Sequence, residues 1–591
     1  MHEMPFIYNF PFFSILLTLI GGMSMPFFRN GRVAQKINMG IIIAVGVMNF
    51  ILFCNLVTTG EHFVYMMGHF PAPWGNEIRG GPFEALMATV FAFVMGFSVL
   101  GGVFNIYEDV PKKKQYLYFL MMNLLLSSMI ALIYTNDMFT GYVFIEINTL
   151  AACAIVMSKD SGETIVATIR YLIMSLLGSG LFLMGIAMLY NITGHLLMES
   201  LQPVILQMAE SEQYYLPLTV VFAVTTLGLC VKSALYPFHS WLPNAHGTAT
   251  SSSSAILSGL VLKGYIILLM KMMYRVYTPD LLAKLHITDA IFVLGILGMI
   301  LGSVNALRER HIKRMTAYSS VAQIGYIFMG LGLNSEIGMM AASFHILSHA
   351  ITKPMLFLAA GGLANVSGHS YEFKDLRGAA HRNKIAGVAF VIGALSMIGI
   401  PLFAGFPSKL YFSTAAIHSD YFRMPVVLIA LAISTALNAL YYLPVCINIW
   451  RTKDEPGHGH GHEEHGHGDG HGHEEAAAEH PSTSSGCVAA DHSTIGSLSK
   501  LSFAEGSKGT ENGSISSAVH AAAGAVAADE AGEHAVDLHD SGGHDAHASH
   551  GKSGITVAFV ASMIVFIAAN FALGIVYGPV MEAIKRGLEL L

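Results

Sequence analysis

Charge is scarce in this sequence. Only 12% of its 591 residues are Asp, Glu, Lys or Arg, and 53% are hydrophobic; soluble proteins carry about 25% charged residues. A soluble domain with a single anchor is excluded, and many membrane spans are implied. The five cysteines, Cys54, Cys153, Cys230, Cys446 and Cys487, are scattered with no C-x-x-C among them, so no Fe–S or structural zinc framework follows. No G-x-G-x-x-G opens a helix after a strand, and no G-K-[ST] phosphate loop occurs. The chain is therefore expected to hold no cofactor, carry no electrons and hydrolyse no nucleotide. Its driving force must come from an ion gradient or from a partner. Residues 10–27 are apolar, but the basic residues follow them instead of preceding them, which makes them a first span and not a signal peptide.

What is there is a series of apolar stretches about 20 residues long, enough to cross a hydrocarbon core of ~30 Å. They lie at 10–27, 38–58, 83–106, 116–134, 139–157, 168–190, 216–239, 252–275, 289–306, 316–333, 337–364, 385–417, 424–450 and 553–578. Basic residues cluster in alternate loops: Arg29, Arg32 and Lys36; Lys112, Lys113 and Lys114; Arg308, Arg310, Lys313 and Arg314; Lys374, Arg377, Arg382 and Lys384. The loops 59–82 and 191–215 are poor in them. The positive-inside rule then makes the basic loops cytoplasmic and puts both termini outside. The expected segments are 1–115 (spans one to three), 116–275 (four to eight), 276–451 (nine to thirteen), 452–552 and 553–591 (the last span). Residues 452–552 are low in complexity and rich in histidine, with seven between His458 and His473. This segment is expected to be a disordered cytoplasmic loop. His458, His460, His462, His465 and His467 offer a loose metal site at most; a solvated tether is the blander reading.

Ionisable residues inside spans are few, and most are bases: Glu146, Lys232, Lys263, His345, His349, Lys353 and Lys409. A lysine at mid-bilayer costs roughly 2.5–3.5 kcal/mol on insertion scales, so each needs a partner or a wet cavity. Lys232 precedes LYPFHSWLP, and Lys409 follows GIPLFAGFP. A proline inside a span frees a carbonyl, which is tolerated where protein or water satisfies it. Two proline-broken spans, seven and twelve, correspond if spans four to eight and nine to thirteen are inverted repeats, a pattern that places ion sites at the breaks. Desolvation favours the neutral form of a lysine and a nearby carboxylate opposes it, so Glu146 and Lys232 form the natural switching pair; the alternative is a static buried salt bridge. His345, His349 and Lys353 share one helix face, which suits a proton relay; packing or zinc are the alternatives. Glu84, in GGPFEALM, opens span three at the outer face as a mouth residue or an interfacial one.

Together these residues resemble the antiporter-like subunits shared by respiratory complex I, membrane-bound hydrogenases and multisubunit Na⁺/H⁺ antiporters. The resemblance rests on TNDMFTGYVFIEI, VKSALYPFHSWLPNAHG, HIKRMTAYSSVAQIGYIFMGLGL, FHILSHAITKPMLFLAAGG and FAGFPSK, within roughly residues 80–450. Spans five and seven look closest to the D-type antiporter and hydrogenase subunits. The resemblance implies an all-α polytopic protein of fourteen spans, with two inverted five-helix repeats and two broken helices. It also implies proton translocation along Glu146, Lys232, Lys263, His345, His349 and Lys409; Lys353 matches a family lysine to which no role is assigned. His311 stands where many members carry aspartate. The implied partners are further antiporter-like or small hydrophobic membrane subunits. A cytoplasmic Fe–S/flavin redox arm would join them in a complex I-like or hydrogenase-like assembly, and would be lacking in a Na⁺/H⁺ antiporter. Nothing points to nucleic acid. A metal transporter collecting ions on the histidine loop is the rival from another class, but lysines at the deep sites would repel divalent cations.

Overall fold

Inside a hydrocarbon layer the backbone must satisfy its own polar groups, so an apolar chain crosses as helices or as a closed barrel. The computed structural model takes the helical solution. It describes residues 5–67, 70, 75–210, 214–452 and 555–591, and these belong to one compact unit. The histidine-rich stretch, His458 to His473 included, lies outside the described residues. The first half contains α1 (Phe10–Ser24), α2 (Gly31–Thr59), α3 (Pro82–Gly101), α4 (Gln115–Tyr134), α5 (Met138–Met157), α6 (Gly162–Thr193), α7a (Tyr215–Lys232), α7b (Trp241–Thr248) and α8 (Ser251–Tyr277). The second contains α9 (Ile287–Arg308), α10 (Ile312–Gly332), α11 (Glu336–Asn365), α12a (Lys384–Ile398), α12b (Gly405–Ile417), α13 (Arg423–Trp450), α14 (Val557–Ile575) and α15 (Tyr577–Glu589). Side chains cap many of the starts: Asp137 accepts the Thr140 N–H at 2.7 Å, Thr250 the Ser253 N–H at 3.1 Å and Ser335 the Gly338 N–H at 3.2 Å.

Among the described residues, twelve helices are long and apolar enough to cross a membrane. α10 is not one of them, because it opens with Lys313 and Arg314 and goes on to Ser319, Ser320 and Gln323. Nor is α12, which is divided at 399–404. α7 is divided in the same way at 233–240, so both expected breaks are present, one at Pro237 and the other at Pro401. The most apolar stretches of α8 and α11 are buried over their whole circumference, whereas those of α1, α2 and α14 are only one-third buried. The two helices with no outward face are thus the ones that carry Lys263, His345, His349 and Lys353.

α9 and α10 pack backbone to backbone. A Cβ on Gly325 would collide with Met299 N and Gly295 O, and one on Gly295 would collide with Met329 N. Small residues bring spanning helices this close where lipid gives no hydrophobic drive to associate. On one face of the molecule a hairpin, β1 (Phe63–Met66) with β2 (Glu77–Gly80), pairs Phe63 with Gly80. On the other face the basic loops meet: His311 bridges Glu372, Lys114 pairs with Asp160 at 2.9 Å, and Lys159 pairs with Asp109 at 3.4 Å.

Glu84 lines no open mouth. It is fully buried; one oxygen accepts the Gly81 N–H at 2.9 Å, closing the start of α3, and the other accepts from Arg275 of α8 at 2.5 Å. Arg275 is buried too and reaches Leu591 O at 3.3 Å, which ties α15 to the same cluster. Removing one partner of such a pair strands a charge, at a cost of roughly 3–5 kcal/mol. Glu84→Ala should therefore accumulate poorly or unfold well below the parent in a thermal scan of the solubilised protein, and Glu84→Met with Arg275→Met should recover most of the loss. Parent-like unfolding of Glu84→Ala would show that the pair contributes nothing.

Candidate functional site

The break in α7 positions Lys232. It is the last residue of α7a, with its side chain fully buried. Its nearest partner is Thr149 of α5, whose hydroxyl accepts at 2.6 Å. Glu146, one turn earlier on α5, lies 3.6 Å away, an ion pair too long for a hydrogen bond. The Tyr265 ring lies 5.7 Å from the ammonium, and its hydroxyl donates to Asn148 at 3.0 Å. The Glu146 side chain is 22% exposed, on a flank where Val143 and Leu150 also face outward. The carboxylate thus has one edge toward its lysine and one toward the outside of the chain.

Lys263 owes its place to an irregularity with no sequence signal. α8 widens into π-helical turns at Leu257–Val261 and Met273–Tyr277, a distortion that frees main-chain groups. The Lys263 ammonium donates to the Ser258 carbonyl inside the first of them. From there hydroxyls continue: Ser258 meets Ser320 of α10 at 2.9 Å, and Ser320 donates to Thr316 O at 3.1 Å. Lys353 of α11 donates to that same carbonyl at 2.9 Å and to the Tyr442 hydroxyl at 3.3 Å. Lys232 and Lys263 make no direct hydrogen bond to each other.

His345 and His349 do share a face of α11, with ring centroids 6.3 Å apart. His345 Nδ1 pairs with Ser408 at 2.9 Å, and its ring stacks on Tyr326 at 5.4 Å. Lys409 lies on the same tyrosine, 5.3 Å from its centroid. Lys409 is half-buried and crosses the α12 break to donate to Ile398 O at 2.7 Å, with Thr435 accepting at 2.8 Å. His345 Nε2, both His349 nitrogens, both His246 nitrogens and the Gln323 amide are buried without a protein partner. Buried polar groups are ordinarily satisfied, so these are the atoms that water reaching the centre would solvate. The six sequence candidates therefore fall into a Glu146–Lys232 group, a Lys263 group joined through hydroxyls to Lys353, and a His345–Lys409 group around Tyr326.

Sequence reasoning missed four buried bases. Lys313 reads as part of a basic loop; it lies in α10, buried, donating to Ala249 O at the α7b–α8 junction and facing the Tyr371 ring at 4.9 Å. The length of the preceding loop was the only signal, and α10 starts four residues earlier than its apolar run. Lys271 donates to Ile133 O at 2.9 Å and to Thr135 O where α4 ends. Arg275 and His246 complete the set. His311 caps α10 by accepting the Arg314 N–H at 3.3 Å. Burial, followed by Lys313 and Arg314, holds its ring at a pKa of about 4. It is neutral at pH 7, as a capping acceptor must be.

One rule covers five of these ammoniums. Lys263, Lys271, Lys313, Lys353 and Lys409 each bond a main-chain carbonyl, at a helix end, a break, a π-turn or a shared acceptor. Only Lys232 has a carboxylate beside it. A carbonyl accepts from –NH₃⁺ and –NH₂ alike, so these contacts survive the loss of a proton. Burial itself is open to test by acetylation with mass-spectrometric mapping on the solubilised native protein. Lys112, Lys113 and Lys114, all exposed, should label, and Lys263, Lys271, Lys313 and Lys353 should not; rapid labelling of the latter set would contradict the packing.

The transmembrane family described as NADH:quinone oxidoreductase/Mrp antiporter matches residues 135–436, the stretch that holds every candidate from Glu146 to Lys409. The chain is 30% identical over 442 residues to NADH-quinone oxidoreductase subunit N of Desulforudis audaxviator, covering 74% of this chain and 84% of that one. It is likewise 30% identical over 437 residues to the putative antiporter subunit mnhD2 of Staphylococcus haemolyticus, covering 73% and 83%. A chain of the membrane-bound sulfane sulfur reductase, an archaeal respiratory membrane complex, superposes with a TM-score of 0.67 at 27% identity over 74% of this chain and 88% of that one. A chain of the Mrp complex from Dietzia sp. DQ12-45-1b has the same fold, with a TM-score of 0.74 at 21% identity over 99% and 97%.

Proposed function

Because the chain belongs to the NADH:quinone oxidoreductase/Mrp antiporter transmembrane family, we propose that it translocates protons across a membrane as the antiporter-like subunit of a larger complex. The observation that carries this reading is the series of buried bases from Lys232 at one helix break to Lys409 at the other, with Glu146 at its start. Lys232, Lys263, His345, His349 and Lys409 pass the proton along the interior. Glu146 is the switch: close to Lys232 it favours the charged lysine, and drawn outward it lets the lysine release its proton. Its partly exposed edge could not rest against lipid at low cost and supports a neighbouring subunit there. Fourteen spans in two inverted repeats, basic loops and the histidine-rich segment in the cytoplasm, and both termini outside complete the proposed arrangement, in a cell inner or plasma membrane.

The relatives come from redox-driven and from antiporter assemblies alike. Purification of the intact complex through this chain separates the two. Co-purifying Fe–S, flavin or nickel–iron subunits make it the pumping module of a redox enzyme. Small hydrophobic subunits without cofactors make it a Na⁺/H⁺ antiporter, assayed by Na⁺-dependent collapse of ΔpH in proteoliposomes.

In the assembled complex Lys232→Ala should abolish proton movement. Glu146→Gln should slow it about tenfold, the effect of ~1.4 kcal/mol. Translocation at the parent rate by Lys232→Ala, with assembly intact, would sink the proposal.

A further inference from the structure

A charged basin and an apolar groove lie on one stripe of α2, and the site already described uses neither. The basin, about 440 Å³, is lined by Arg29, Arg32 and Lys112 with Asn30, Tyr107 and Gln115. Arg29, Arg32 and Lys112 are exposed, no carboxylate lines the basin, and no ion pair among the described residues engages any of the three. The groove, about 450 Å³, runs between α2 and α3; its α2 wall is Met39, Ile43, Val47 and Phe50 over a floor of Gly46, Ala92 and Gly96. Ile43, Val47 and Phe50 are each more than half exposed.

Helix geometry joins the two. Arg32, Lys36, Met39, Ile43, Val47 and Phe50 follow one another at three- and four-residue steps and so share a face of α2. The groove begins about 10 Å along the helix from Arg32 and extends for about 16 Å, at 1.5 Å per residue. That length is close to one leaflet of a ~30 Å hydrocarbon core. Guanidinium groups bind phosphate through paired donors, and basic residues at a membrane surface attract anionic lipid.

We propose that this stripe seats one anionic glycerophospholipid, its phosphate held by Arg29, Arg32 and Lys112 and an acyl chain laid in the groove from Met39 to Phe50. The charge settles the occupant. A purely apolar helix of another subunit would fill the groove and leave three unpaired cations at its head, whereas a lipid with a negative headgroup satisfies both ends.

The test uses the intact complex purified in mild detergent, with phosphatidylglycerol and cardiolipin quantified by mass spectrometry against phosphatidylethanolamine. Arg29→Gln, Arg32→Gln and Lys112→Gln should each lower retained anionic lipid roughly fivefold at limiting lipid, with phosphatidylethanolamine unchanged. Val47→Trp should fill the groove and displace the same lipid with every basic residue in place; it is read alone should the basin variants fail to accumulate. A photo-crosslinking residue at Ile43 should yield an adduct of phospholipid mass. Unchanged anionic lipid in these variants, or a crosslink to a protein subunit, would overturn the proposal.

Discussion

Ammonium groups buried without counter-charges constrain this molecule more than any other interaction. Five lysines and an apolar surround leave the backbone as the main source of acceptors. A helix supplies a carbonyl only where its own ladder is interrupted or where an acceptor is shared. The break in α12 provides Ile398 O for Lys409, the π-turn of α8 provides Ser258 O for Lys263, and the end of α4 provides Thr135 O for Lys271. The irregularities of the fold and the positions of its bases are therefore one design problem. Straightening α8 would remove the carbonyl that Lys263 bonds, and straightening α12 would leave Lys409 with Thr435 alone.

Burial follows the same division. α8 and α11 have no outward face and carry the costliest residues, while only a third of the most apolar stretches of α1, α2 and α14 is buried. Glu146 is the exception, a carboxylate on a helix flank between exposed aliphatic side chains. Its position is the reason a neighbouring subunit is proposed there.

Much of this could be read from the sequence, for identifiable reasons. Pro237 and Pro401 mark the two breaks because proline cannot complete a helical ladder, and Lys232 and Lys409 stood out because lysine in an apolar run is rare. Other features could not be read. The π-turns of α8 lie in LSGLV and MYRVY, where no residue pattern marks the widening, although the first turn supplies the carbonyl that Lys263 bonds. Lys313 sits beside Arg314 in a run that reads as a loop, and only the fold shows one turning inward while the other remains at the surface. Glu84 and Arg275 are 191 residues apart, and no local pattern relates them.

The glycine contact between α9 and α10 limits how the interior can work. With Gly295 and Gly325 placing main chain against main chain, the two helices pack as one tight pair, and close-packed interiors do not deform smoothly. The pair behaves as a stator. Ser319, Ser320, Gln323 and Tyr326 are bolted to it, so rearrangement around them falls to rotating side chains and to the loosened turns of α8 and α12. On the proposed function, switching would run by local rewiring against this frame, with no need for the helices to travel.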